Sequence, residues 1–253
     1  MLIILGIIGA IIIGALLVYG ILVTPSRQPY RDAQAQLDNV MRANAGLTAA
    51  GSSLNAGKAT TEEFEKNIAT AQAALKSLRT ENEALSKETV LKDGEGKTKY
   101  DAYNAKLQEY MTYNENILNS MLRVRPVLME CNADMSDITA SAESIAALRD
   151  CAHHLGEVKE VPDADYRQLA TDFQADYDEL ATVLEKIAAL PDPKGADQAQ
   201  NSVYISQRDE ILARLTNTGK DFAKSLQQSR NQILTTDTEK KLSDYLKVKS
   251  RIF

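Results

Sequence analysis

Cys131 and Cys151 are the only cysteines in the chain, and their placement suggests oxidative pairing. Their midpoint is residue 141, close to an expected turn between two antiparallel helices, so the two positions come level across a helical hairpin. A disulfide there would staple the hairpin by ~3 kcal/mol on chain-entropy grounds. It would also argue for an extracytoplasmic compartment. The alternative is a pair of buried free thiols acting as small apolar side chains. His153 and His154, the only histidines, sit beside Cys151. Cys151 and His154 share a helical face, and with Cys131 they invite a zinc reading. No CxxC, HxxxH or HExxH spacing accompanies them, so no metal and no cofactor are assigned. Two exposed histidines near a helix end suit the helix dipole instead.

Asn44, Asn82 and Asn114 fall on helical positions otherwise held by apolar residues. A buried asparagine fixes helix register at a cost in stability, and a set of them can also line a polar pocket. Asn82 and Asn114 stand at unequal distances from the turn near Gly94, which favours packing over a pocket. Tyr100, Tyr103, Tyr110 and Tyr113 crowd one helix, with Tyr103 and Tyr110 on its inner stripe and the other two flanking. Acid pairs such as Asp176 with Asp178, or Glu62 with Glu63, read as solvated helix faces. No GxSxG elbow and no phosphate-cradling glycine loop is present, so a non-enzymatic protein is expected.

The elements carrying these residues follow from apolar spacing. Tyr30, Ala33, Leu37, Val40, Asn44 and Leu47 recur at steps of three and four, one face of a helix. Residues 49–59 read as a glycine-containing loop, and Thr60 with Glu63 forms a capping box for the next helix. Phe64, Ile68, Ala71, Leu75, Leu78, Asn82 and Leu85 then keep a strict 4-3 heptad seam. After a turn at 92–97 the rhythm resumes with Tyr103, Leu107, Tyr110, Asn114, Ile117, Met121, Val124, Leu128 and Cys131. Pro126 is expected to kink or end that helix. Residues 132–137 turn the chain into a short helix from Ser141 to Leu155, with Gly156 placed to stop it and Asp163 placed to cap the next. That next seam runs from Tyr166 to Leu190 and is interrupted only by Asp176. Residues 191–195, PDPKG, are the strongest break, with a possible subdivision of the domain there. A long helix carries Ile211, Leu215 and Phe222, and residues 235–241 open a terminal one.

Residues 2–23 form 22 consecutive apolar residues without a charge. At ~1.5 Å per residue they reach ~33 Å, enough for a bilayer core of ~30 Å. The stretch exceeds a signal-peptide core and lacks a basic leader, which favours an uncleaved anchor. Gly6, Ala10 and Gly14 give it a small-xxx-small face for helix packing in lipid. Arg27 and Arg31 just beyond it favour a cytoplasmic domain by the positive-inside rule, against the cysteine argument.

The fold class expected is all-α: an N-terminal transmembrane helix at 1–24, a proline-containing linker at 25–29, and an elongated antiparallel helical bundle with coiled-coil-like seams over 30–253. Trp is absent, and the formal net charge of -6 argues against a nucleic-acid partner. The expected partners are the lipid bilayer through residues 2–23 and a protein, another or a second copy of the chain, with no small molecule. The basic stretch 240–253 is suited to a membrane surface or a cell-wall polyanion, or to docking on the bundle. The function expected is a membrane-anchored structural or interaction module with its domain outside the cytoplasm. A ligand-binding sensor or transport accessory domain is the alternative, and a pilin-like filament subunit a further one.

Overall fold

The computed structural model describes residues 2–54, 60–131, 138–233 and 236–251, with side chains from 27 onward except 53 and 230–232. The described residues form α-helices and one 3-10 turn, without strands, as the apolar periodicity requires. The helices are α1 (Leu2–Leu54), α2 (Thr61–Leu85), α3 (Gly94–Glu130), α4 (Ala142–Val158), α5 (Ala164–Ala188), α6 (Gln198–Gln232) and α7 (Thr236–Ser250). Contacts divide the chain into two compact units. The first comprises Met1–Gly57, Ala69–Met111 and Leu234–Phe253, and the second Lys58–Ile68 and Thr112–Ile233. The break at 191–195 separates α5 from α6 inside the second unit.

In the first unit α1 packs on α7 and on the 3-10 turn Thr89–Leu91. Ala33, Leu37, Val40 and Leu47 of α1 are buried, as are Leu75, Leu78 and Leu85 of α2 and Leu242 and Leu246 of α7. The α1 stripe continues through Ala50 and Leu54, so the helix outlasts the loop expected from residue 49. Sustained apolar spacing outweighs the glycine at 51, which costs a helix only ~1 kcal/mol. Residues 55–59 lie outside the described residues. The expected turn at 92–97 is displaced upstream: buried Leu91 anchors the 3-10 turn, and α3 starts at Gly94 in a left-handed conformation, φ 53°.

In the second unit α5 lies between α4 and α6, packing against each. Burial on two sides gives α5 a wide apolar face that includes Tyr166, Leu169, Tyr177, Leu180 and Leu184. Tyr177 takes the deep position that the spacing assigned to Phe173, which is half-buried. On α3 the interior moves from Ile117 to Leu118, because a helix of 3.6 residues per turn drifts off a strict heptad. Phe222 is also half-buried.

Local signals set the helix starts. Thr60 N–H donates to Glu63 Oε2 at 2.9 Å and Glu63 N–H to Thr60 Oγ1 at 3.2 Å, the reciprocal capping box. Ser141 Oγ accepts from Ser144 N–H at 3.1 Å, and Asp163 Oδ1 from Tyr166 N–H at 3.0 Å. Helix stops were less local. α3 runs through Pro126 to Glu130, and α4 passes Gly156 to Val158. A β-carbon at Gly156 would come within 2.8 Å of the Gln174 amide of α5, the end of a flexible side chain that can move aside.

Two expectations concern residues before 27. The proline break expected at 25–29 is absent, since α1 is helical throughout Leu2–Leu54. Each proline removes one backbone hydrogen bond without forbidding helix on both sides. The transmembrane helix itself is not supported: among the residues whose side chains are described, from 27 onward, no helix is long and apolar enough to cross a membrane. The run 2–23, with Gly6, Ala10 and Gly14, lies outside the described side chains.

Candidate functional site

Cys131, at the end of α3, and Cys151, on α4, are joined as a disulfide with Cα atoms 5.5 Å apart. The pairing closes the hairpin whose loop, 132–137, lies outside the described residues. Cys131 is buried, and Ala152 and Leu155 beside Cys151 point inward. His153 and His154 face solvent one residue further round, and His153 Nε2 sits 3.4 Å from Glu157. With both sulfurs in the bridge these histidines lack thiolate co-ligands. Among the described residues no cluster of histidine, cysteine and carboxylate is arranged to hold a metal.

The asparagines separate. Asn82, 3% exposed, donates from Nδ2 to Asn104 Oδ1 at 2.7 Å, and Gln108 Nε2 donates to the same oxygen at 3.3 Å. This amide network ties α2 to α3, joined at 2.8 Å by Gln36 Nε2 of α1 donating to Glu81. Asn44 is half-buried on α1 and its Oδ1 has no partner among the described residues. Asn114 is half-buried and belongs to the second unit, whereas Asn44 and Asn82 belong to the first.

Tyr103 and Tyr110 are buried as the seam requires, and Tyr100 is buried with them rather than flanking. Tyr113 is half-buried and donates to the Leu226 carbonyl at 3.2 Å. Burial pushes the Tyr103 phenol well above its ordinary range, with nearby Glu239 adding to the effect.

Asp176 and Asp178 are not a solvated pair. Asp176 is buried on α5 and meets Arg214 of α6, Nε to Oδ1 at 3.0 Å, and the same guanidinium bonds Glu179. Asp178 meets Arg149 of α4 at 2.9 Å, where Thr182 and Glu185 also accept. Asp165 accepts from Ser225 at 2.7 Å and Ser229 at 3.2 Å of α6. The acids of α5 are therefore its polar clamps to both neighbours. Arg149 and Arg214 were missed because long basic side chains look alike on any helix. The signal pointing to Arg214 was Asp176 itself, an acid on an apolar seam that requires a cation.

At one end of the first unit, Tyr30 of α1 and Tyr245 of α7 stack edge-to-face at 6.1 Å. Lys99 and Lys249 each lie 5.9 Å from the Tyr245 ring. Burial, reinforced by Tyr30, pushes the Tyr245 phenol up to about 12. No known protein family matches this chain, and neither a curated protein nor a solved structure matches it.

Proposed function

We propose that the chain is a membrane-anchored, non-enzymatic interaction module, held by residues 2–23 with its helical domain outside the cytoplasm. The observation that carries this reading is the Cys131–Cys151 bridge, since structural disulfides persist in oxidising compartments. The apolar run supports the anchor by its length and lack of charge. Interior polar groups favour a packed module over a sensor: Asn82 is bonded to Asn104 and Asp176 to Arg214, so each is committed to the scaffold. The basic residues Arg27 and Arg31 weigh against the outward orientation, and the disulfide is the stronger argument because two arginines set topology weakly.

The test is extraction and accessibility in native membranes. The chain should stay in the pellet through alkaline carbonate, and protease added outside intact cells should remove the domain. Release by carbonate would remove the anchor, and digestion only after permeabilisation would place the domain inside. Cross-linking in the same membranes should yield a discrete higher-mass species.

A further inference from the structure

We propose that the Tyr245–Arg251 end of α7 lies on the bilayer next to the anchor and binds anionic phospholipid headgroups. The proposal rests on the anchor reading, because the bilayer must lie at the residue 2–23 end of α1. The direction of α7 comes from contacts within the first unit. Tyr245 stacks on Tyr30 of α1. Six residues further along α1, Gln36 bonds Glu81 of α2, and the next residue, Asn82, bonds Asn104 of α3. Tyr103, beside Asn104, feels the charge of Glu239, six residues before Tyr245. α1 thus leaves the anchor end as α7 returns to it.

Helix rise then sets the depth. Tyr30 is ~10 Å along the axis from Val23, and Val248 is ~4.5 Å past Tyr245 toward the same end. Val248 therefore stands roughly 6 Å from the end of the apolar run, within the headgroup layer of ~5–8 Å. Val248 is 65% exposed, the most exposed large apolar side chain among the described residues. Lys247, Lys249 and Arg251 around it are exposed and make no ion pair among the described residues. Two of the three acids of α7 are paired on the helix itself, Asp237 with Lys241 at 2.6 Å and Asp244 with Lys240 at 2.7 Å, and the third, Glu239, is half-buried six residues before Tyr245. Glu95 at this end is paired with Lys99 at 3.4 Å, which leaves Asp93, Asp32 and Glu88 as the opposing charges, with Asp244 near enough to act on Lys247 as well. An apolar side chain between three cations is the pattern of an interfacial helix on anionic lipid.

The test uses the full chain with Val248→Cys carrying an environment-sensitive nitrobenzoxadiazole dye, its native disulfide intact. It is reconstituted into vesicles of phosphatidylcholine, or of equal phosphatidylcholine and phosphatidylglycerol. The dye should brighten and shift to the blue only with phosphatidylglycerol, and each of Lys247→Gln, Lys249→Gln and Arg251→Gln should weaken docking about five-fold. The same dye at Val203→Cys, an exposed site on α6, should not respond. Vesicles that float with the chain while position 248 stays water-like overturn the inference and leave the anchor standing. Equal signals in both lipids overturn the anionic contact, and a response to soluble polyphosphate but not to lipid assigns the basic face to a polyanion instead. A chain that does not float overturns the anchor reading and this inference together.

Discussion

Asp176 and Arg214 form an ion pair buried on one side only: the Asp176 side chain is 11% exposed, while the guanidinium 2.9 Å away reaches solvent on a side chain 41% exposed. The acid depends on the base more than the base on the acid, because only the acid would be stranded. Arg214→Met should therefore cost about 2 kcal/mol in urea unfolding, and Asp176→Asn about half that, since Arg214 keeps Glu179. The double variant Asp176→Leu, Arg214→Met should recover most of the loss. Equal costs for the two single variants would count against this asymmetry.

The disulfide gives the second prediction. Twenty residues separate the cysteines, so opening the bridge should lower stability by ~3 kcal/mol. Cys151→Ser should show that loss in guanidinium unfolding, and reductant should add nothing to it. Chemical labelling of both thiols in unreduced native protein would sink the bridge and with it the strongest argument for an outside location.

The α2 seam, the capping box at Thr60 and the cap at Asp163 were legible in the sequence because each depends on residues within four positions of one another. Helix ends at Gly156 and residue 49 were not, since tertiary packing carried the helix past each local breaker. The charge clamps of α5 were illegible for a related reason. Asp176 is identical in type to any solvated acid, and only α6, 38 residues away in sequence, shows what it faces.

Glycines separate those two regimes and give opposite signs on mutation. At Gly96 a β-carbon would overlap the Val90 carbonyl where α3 meets the 3-10 turn. Gly96→Ala should destabilise by about 2 kcal/mol, because the obstacle is backbone. Gly46, mid-helix in α1, has nothing within 4 Å of the added atom. Gly46→Ala should stabilise by about 0.5–1 kcal/mol. Thermal unfolding followed by helical circular dichroism checks both, and a loss at Gly46 would mean that its surroundings are filled.

Tyrosine ionisation tests the buried interior directly, because the chain has ten tyrosines and no tryptophan to mask their absorbance. Burial pushes the phenols of Tyr177 and Tyr245 up to about 12, and those of Tyr100, Tyr103 and Tyr166 upward as well. A folded pKa raised above the unfolded value of about 10 means stability that is fully present below pH 10. It is lost as pH rises through the folded values, since the unfolded chain releases those protons first. Between pH 10 and 12 the domain should therefore unfold. Tyr100, Tyr103, Tyr166 and Tyr177 should ionise only as the helical circular dichroism signal collapses. Ionisation of Tyr103, Tyr166 and Tyr177 near pH 10 while the helices persist would show that they are reached by water, and that the packing described for both units is wrong.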